Sequence, residues 1–257
     1  MRIIGMDVSR AFAELVAWDD GRLRRLGRVD MRRDLLEAWA RKLRPDDVVV
    51  IEATGNAVAA VEVMSPYAGK VVVANPKQVR LIAHASIKTD TIDAGVLAQL
   101  YVSGFLPEVW VPDATTAALR RQVTRRNQIV RQRSRLKNIV QSILHAHLVP
   151  GCPHSDMLGH RGRVWLGAQL LPDDERLAIE RHVREIDRLG EDLKVVERDL
   201  AQAAIGSEHI KRLMTIPGID MIVAEGLMAA IGNPARFSTP QKLVKANFEV
   251  RSMATRR

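Results

Sequence analysis

The sequence predicts an α/β domain followed by long helices, and three patterns support this fold class. The first is a set of three short strands at residues 2–8, 12–18 and 23–29, with Asp19-Asp20-Gly21 as a hairpin turn between the second and the third. The second is an alternation of apolar strands with helices, which indicates parallel pairing. The third is a pair of long, charged helical segments in the second half of the chain.

The alternation of strands and helices follows the hairpin. We expect a helix near 31–43, a strand at 48–52, a helix near 56–65, a strand at Val71-Val72-Val73, a helix at about 91–103 and a short strand at Val109-Trp110-Val111. Pro76, Lys88 and Thr89 bracket a polar connection ahead of the helix at 91–103. Because three antiparallel strands leading into β-α-β-α order are typical of the ribonuclease H-like fold, we predict that fold for residues 1–112.

A helical arm is predicted for residues 113–204. Asp113 is a suitable N-cap for a helix at 114–148, a connector broken by Pro and Gly covers 149–172, and a second helix spans about 173–204. The second helix carries apolar residues at steps of three and four, as in a coiled-coil seam: Ile179, Val183, Ile186, Leu189, Leu193, Val196 and Leu200. This pattern indicates either an antiparallel arm within one chain or a stalk between two chains.

The segment 205–257 begins with a pattern that resembles a helix-hairpin-helix. Its hairpin is Thr215-Ile216-Pro217-Gly218-Ile219-Asp220, and an apolar helix follows through Ile231. In that motif, backbone N–H groups of the turn and of the helix N-terminus contact a DNA phosphate. Asp220 stands where the motif usually has its second glycine.

The positive charge is concentrated on one predicted helix. The chain has a formal net charge of +9 and a pI near 10.2. The segment 114–148 contains no acid and eight cations, which we predict to contact nucleic acid: Arg120, Arg121, Arg125, Arg126, Arg131, Arg133, Arg135 and Lys137. A solvated helix face is the alternative interpretation.

Cysteine usage and hydropathy favour a reducing, aqueous compartment. Cys152 is the single cysteine, and no segment has the uninterrupted apolar length of a membrane span or the layout of a signal peptide. We therefore expect a cytoplasmic protein without a membrane partner. His145, His147, Cys152, His154 and His160 lie near one another in sequence, but their spacing is poor for zinc.

Four carboxylates are the candidate catalytic and metal-binding residues. Asp7 and Glu52 end apolar strands, and Asp90 and Asp93 are three residues apart on a predicted helix, so each pair shares an edge or a face. Carboxylate oxygens are preferred ligands of Mg²⁺, and pairs of Mg²⁺ ions occur where phosphodiesters are cut. Taken singly, each acid is a weak signal, since Asp7 could simply end its strand and an isolated Glu52 is more often a strand-end carboxylate than a ligand.

These residues resemble one family, the DEDD-type transposases of the insertion sequence 110 family, which are bridge-RNA-guided recombinases. The blocks that resemble it, in order, are Gly5-Met6-Asp7-Val8-Ser9, Ile51-Glu52-Ala53-Thr54-Gly55, Val73-Ala74-Asn75-Pro76-Lys77-Gln78-Val79-Arg80, Lys88-Thr89-Asp90-Thr91-Ile92-Asp93-Ala94, Gly162-Arg163-Val164-Trp165-Leu166 and Ile216-Pro217-Gly218-Ile219. The resemblance covers residues 1 to about 244. It implies a RuvC-like domain with Asp7, Glu52, Asp90 and Asp93 as its metal-binding tetrad, Mg²⁺ as cofactor, and DNA and a guide RNA as partners. It also implies homo-oligomerisation through the coiled coil.

The C-terminus departs from the family pattern. Members continue past Lys242-Leu243-Val244 into a glycine-rich stretch with a catalytic serine that forms a covalent link to DNA, whereas this chain reads on to Arg257 without that block. We interpret this as a frameshift or truncation and do not assign the nucleophile to Ser252, which lacks the expected neighbours.

Two functions follow as expectations. The first is an insertion-sequence transposase with Mg²⁺-dependent strand cleavage and exchange, impaired by loss of the serine block. The second is a non-catalytic nucleic-acid-binding oligomer left by truncation. An actin-like ATPase fold also places an aspartate after its first strand, but Ser9-Arg10-Ala11-Phe12 offers no glycine-rich phosphate-binding hairpin.

Overall fold

The computed structural model describes residues 1–82 and 89–244 and divides the chain into two compact units, the first Met1–Val111 and the second beginning at Pro112. The predicted helical arm and the predicted helix-hairpin-helix segment both lie in the second unit.

The first unit is built on a six-stranded mixed sheet. Its strands are β1 (Ile3–Val8), β2 (Phe12–Asp19), β3 (Arg22–Asp30), β4 (Val48–Glu52), β5 (Lys70–Ala74) and β6 (Glu108–Val109), in the order β3-β2-β1-β4-β5-β6. Strands β1, β2 and β3 pair antiparallel, β1, β4 and β5 pair parallel, and β6 pairs antiparallel with β5. The ribonuclease H-like prediction is confirmed by this order.

The turn between β2 and β3 forms where it was predicted. Asp20 and Gly21 both have positive φ, 47° and 80°. Two consecutive left-handed residues match the right-handed twist of the flanking strands, and Asp-Gly adopts that conformation at low cost.

Helices cover both faces of the sheet. On one face, α1 (Arg33–Ala40) and α2 (Ala57–Met64) pack on Ile4, Met6 and Ile51. On the other face, α4 (Asp90–Val102) packs through Leu97 and Ala98 on apolar side chains of β1, β4 and β5.

The predicted polar connection after β5 contains a helix that we did not expect, α3 (Pro76–Ile82). The Asn75 side-chain oxygen accepts a hydrogen bond from the Lys77 backbone N–H at 3.1 Å, and Pro76 occupies the first helical position, where its missing N–H costs nothing. The element was missed because it is short and only Val79 is buried on it. Lys88 lies outside the described residues.

The second unit is helical. Its helices are α5 (Ala114–Ala146), α6 (His160–Gly167), α7 (Asp173–Ile205), α8 (Glu208–Met214) and α9 (Met221–Ile231), followed by a short 3₁₀ turn at Pro234–Arg236. The Asp113 side chain accepts a hydrogen bond from Thr116 N–H and caps α5 as predicted.

The seam on α7 is packed within the chain. Val140 and Leu144 of α5 cluster with Ile179 and Val183 of α7, while Arg126 and Glu197 pair further along the two helices. Contacts that run in opposite directions along the two helices define an antiparallel hairpin, which is the first of the two predicted arrangements. Within the described residues, no helix is long and apolar enough to cross a membrane.

Candidate functional site

Asp7 and Glu52 lie at one edge of the sheet. Strands β1 and β4 are parallel neighbours, with Met6 in register with Ile51, so the next residue of each strand is Asp7 and Glu52. Since Met6 and Ile51 point to the face covered by α1 and α2, the two acids point to the opposite face, the one covered by α4. Both are half-buried.

Helix α4 brings Asp90 and Asp93 to the same face. Ala94 and Leu97 are buried against the sheet, and the two acids precede them by four residues each, so they extend the same helical stripe. A Cβ at Gly5 would overlap the carbonyl oxygen of Ala94, which shows how closely α4 crosses β1. Asp93 is half-buried and Asp90 is exposed. We call Asp7, Glu52, Asp90 and Asp93 the acidic edge.

The chemistry of the acidic edge suits a hard cation. All four groups offer oxygen donors, with no sulfur or imidazole among them, and Mg²⁺ prefers that ligand set. Within residues 1–82 and 89–244, however, no three His, Cys, Asp or Glu side chains form a group positioned to hold a metal ion. The four acids therefore share one face and edge without forming a closed ligand set.

Glu14 is a buried carboxylate beside this edge that sequence reasoning missed. It is the cross-strand partner of Asp7 and has no solvent exposure. Its oxygens accept hydrogen bonds from Arg25 Nε at 2.5 Å, Arg28 Nε at 2.7 Å and Thr91 Oγ1 at 3.1 Å. These donors, the Arg25 guanidinium foremost, lower the pKa of Glu14 to about 2. An acid within an apolar strand, facing a strand with several arginines, was the available signal.

The eight cations of α5 divide into two groups. Arg120 donates to the Ala229 and Ala230 carbonyl oxygens at the end of α9, at 2.6 and 3.1 Å, and Arg126 pairs with Glu197 at 2.8 Å. Arg133 and Lys137 are also half-buried. The exposed cations are Arg121, Arg125, Arg131 and Arg135, which we call the arginine stripe.

The arginine stripe faces away from α7. At about 100° per residue its members project within a sector of about 120°, spread over about 21 Å of helix. Within the described part of the chain, none of the four makes an ion pair or a hydrogen bond through its side chain.

The hairpin between α8 and α9 has the predicted position. Gly218 has a φ of +86°, which a left-handed turn residue requires, and the helices on either side pack on each other through Ile210 and Ala224. The Asp220 side chain accepts a hydrogen bond from Val223 N–H and caps α9. Because a carboxylate already occupies this helix N-terminus, phosphate binding there is opposed by like charge.

Helix α9 also carries Glu225, another fully buried carboxylate. Within the described residues neither of its side-chain oxygens has a hydrogen-bond partner. Burial raises its pKa to about 7, although the charge of Arg126 acts in the opposite direction.

The histidines around Cys152 do not form a metal site in the described residues. The Nε2 atom of His147 instead lies 3.7 Å from Oε1 of Glu175 across the helical hairpin. Ser252 lies outside the described residues.

A solved structure with limited similarity is T. thermophilus RuvC in complex with a Holliday junction substrate, at 16% identity and a TM-score of 0.32, covering 42% of this chain and 99% of that chain. A search of curated proteins found no significant match.

Two family models match the chain. The model DEDD_Tnp_IS110, described as a transposase, matches residues 4–148, more than half of the 257 residues, and the model described as Transposase IS116/IS110/IS902 family matches residues 210–246. The first match contains all four residues of the acidic edge, and the second contains the α8–α9 hairpin. The chain therefore belongs to the IS110 family of DEDD transposases.

Proposed function

We propose that this transposase cleaves and exchanges DNA strands with Mg²⁺ held by Asp7, Glu52, Asp90 and Asp93. The observation that carries the proposal is the shared edge. Asp7 and Glu52 end neighbouring parallel strands, and Asp90 and Asp93 begin the helix that packs on the same face.

The chain's own residues supply the ligand set and its rigidity. Asp7 and Glu52 are fixed by the hydrogen-bonded sheet, and Thr89 caps the helix that carries the other two acids by accepting from Ile92 N–H. Carboxylates that share one edge repel one another, and a bound cation would reduce this repulsion. A bound pair of Mg²⁺ ions would activate the attacking oxygen and stabilise the leaving oxygen.

Nucleic-acid binding is assigned to the arginine stripe. Arg121, Arg125, Arg131 and Arg135 are exposed on one sector of α5, free of internal ion pairs within the described residues, and their spacing suits a phosphate backbone. The half-buried cations Arg120 and Arg126 hold α9 and α7 instead.

Cleavage is tested with Asp7→Asn and Glu52→Gln, assayed on donor and target DNA with the element's own non-coding RNA. We expect each variant to lose at least about 100-fold in Mg²⁺-dependent cleavage while still binding DNA, because second-shell and ligand changes in metal sites have effects of this order or larger. Asp34→Asn is the matched control, since Asp34 is an exposed acid on α1, on the opposite face of the sheet. Full activity of Asp7→Asn, or of the wild type in a chelator, would contradict the metal proposal.

The same assay addresses the alternative function. A wild-type chain that binds DNA and RNA but yields no Mg²⁺-dependent cleavage would fit the non-catalytic nucleic-acid-binding oligomer. Omitting the RNA tests whether cleavage requires a guide RNA. Light scattering tests whether the chain forms an oligomer, which would need contact surfaces outside the seam that is already packed between α5 and α7.

Binding by the arginine stripe is tested with the triple variant Arg125→Gln, Arg131→Gln and Arg135→Gln. We expect weaker DNA binding and a flatter salt dependence, by up to about 0.9 log units per lost duplex contact. The matched control is Arg181→Gln, Arg184→Gln and Arg198→Gln, which removes the same charge from exposed positions on α7. Equal salt slopes for the two triple variants would assign the stripe to the solvated-face interpretation.

A further inference from the structure

One carboxylate connects the two halves of the acidic edge. Glu14 on β2 is directly opposite Asp7 on β1, and it also accepts a hydrogen bond from Thr91 Oγ1 at 3.1 Å. Thr91 lies in the first turn of α4, between Asp90 and Asp93. The Glu14 side chain thus links the strand that carries Asp7 to the helix that carries Asp90 and Asp93, and Glu14 and Thr91 are 77 residues apart in sequence.

Glu14 is held too firmly to serve as another metal ligand. One oxygen accepts from Arg25 and Thr91, the other accepts from Arg28, and the residue has no solvent exposure. Two guanidinium groups offset its charge, and they also keep it ionised, since its pKa is lowered to about 2. A permanently charged acceptor makes a stronger hydrogen bond to a hydroxyl than a neutral one does.

Two other contacts near the start of α4 differ from this hydrogen bond. Thr89 caps the helix locally, and the close approach of Ala94 to Gly5 lies farther along the helix than both acids. The Thr91–Glu14 hydrogen bond links this turn directly to a strand through side chains.

We propose that Glu14 is a positioning residue that holds the first turn of α4 through Thr91, so that Asp90 and Asp93 stand beside Asp7. This inference rests on the proposed metal site. It assigns to Glu14, Arg25 and Arg28 a role in metal affinity without contact with the metal.

The test measures binding of Mn²⁺ alone, by electron paramagnetic resonance titration of the full chain, in wild type, Thr91→Val and Thr91→Ser. Valine keeps the shape of threonine and removes the hydroxyl, whereas serine keeps the hydroxyl. We expect Mn²⁺ affinity to fall about 10-fold or more in Thr91→Val, because the loss of an outer-shell partner of metal ligands has effects of that size. In Thr91→Ser, which keeps the hydroxyl, we expect the affinity to stay within about 3-fold of wild type. The thermal midpoint serves as the control for folding.

The outcomes separate the two proposals. No Mn²⁺ binding by the wild type, or binding unaffected by Asp7→Asn, would overturn the metal site itself. Wild-type binding that depends on Asp7 but is equal in Thr91→Val would overturn the positioning role alone. Thr91→Ala, which favours the helix, provides the same readout if the valine variant unfolds. Glu14→Gln should weaken Mn²⁺ binding less than Thr91→Val, because its amide oxygen still accepts from the hydroxyl.

Discussion

Among the described residues, two glutamates, one in each unit, are completely removed from solvent, and their hydrogen-bonding environments are opposite. Glu14 accepts hydrogen bonds from two arginines and a threonine, while Glu225 has no hydrogen-bond partner on either oxygen within the described residues. The pKa of Glu14 is lowered to about 2, and that of Glu225 is raised to about 7. Burial alone therefore does not determine the charge of a carboxylate, because its donors decide the sign of the shift.

The contrast indicates different functions for the two groups. A paired, always ionised carboxylate such as Glu14 can hold neighbouring elements in a fixed arrangement. An unpaired carboxylate such as Glu225 weakens the folded state whenever it is ionised. Arg126 lowers the pKa of Glu225 through its charge, while its guanidinium is hydrogen-bonded to Glu197.

The largest change in the free energy of unfolding is expected from Glu14→Gln. It removes the negative charge from three hydrogen bonds, and the amide keeps one acceptor oxygen while its NH2 group cannot accept from an arginine, so we expect a loss of about 2 kcal/mol in the free energy of unfolding at pH 7. Urea unfolding monitored by tryptophan fluorescence reports this, because Trp18 and Trp39 lie in the same unit.

The pH dependence of this effect has a definite sign. A lowered folded-state pKa means that the stabilisation is complete above the ordinary value of 4.5 and is lost as pH falls towards about 2. The difference between wild type and Glu14→Gln should therefore shrink between pH 4.5 and 2. A difference that is constant over this range would show that the ion pairs contribute nothing.

Glu14 also shows what the sequence could and could not predict. The strands, the Asp-Gly turn and the two long helices were predictable because hydrophobic periodicity and turn chemistry are local. The partners of Glu14 lie 11, 14 and 77 residues away, and no spacing rule connects them. The acidic edge was foreseen in position, since strand ends follow from topology, but its role as a metal site stays a prediction.

The basic helix illustrates the same limit. The sequence predicted eight equivalent cations on α5, yet Arg120 binds carbonyl oxygens on α9, 109 and 110 residues away, and Arg126 binds Glu197. Which cations remain exposed depends on the packing of α7 and α9, and helical periodicity cannot supply that information alone.

A smaller effect, of opposite sign, is expected from Glu225→Gln. The pKa of Glu225 in the folded state is raised to about 7. Between pH 4.5 and somewhat above 7, the folded chain therefore binds more protons than the unfolded chain. The free energy of unfolding of the wild type falls as pH rises through this window. We expect the variant to be more stable than the wild type by about 1–2 kcal/mol at pH 8, after allowing for burial of an unpaired amide.

The gain from Glu225→Gln should decrease towards zero or below as pH falls to 4.5, where the carboxyl is protonated in the folded state and about half protonated in the unfolded state. Thermal melts at pH 5, 6, 7 and 8 measure this. Asp199→Gln is a suitable control because it also replaces an acid with a neutral amide, but Asp199 is exposed on α7 and not buried. A variant that is less stable than wild type at pH 8 would show that Glu225 has a stabilising partner.

The smallest change in stability is expected from Arg126→Gln, which removes a charge that acts on Glu225. Arg126 lowers the pKa of this carboxyl, so its removal should raise that pKa above about 7 and extend the stability decline to higher pH. The loss of the Arg126–Glu197 pair, which is partly exposed, should cost under about 1 kcal/mol.

The effect of Arg126 on Glu225 is separated from the loss of the Arg126–Glu197 pair by comparing Arg126→Gln with Arg126→Gln/Glu225→Gln over pH 5 to 9. Only the part of the pH dependence that disappears in the double variant involves Glu225. Arg125→Gln, an exposed neighbour on the same helix, controls for the change in net charge. If Arg125→Gln moves the Glu225 titration as far as Arg126→Gln does, the interaction is a general effect of the basic helix and not a specific one between these two residues.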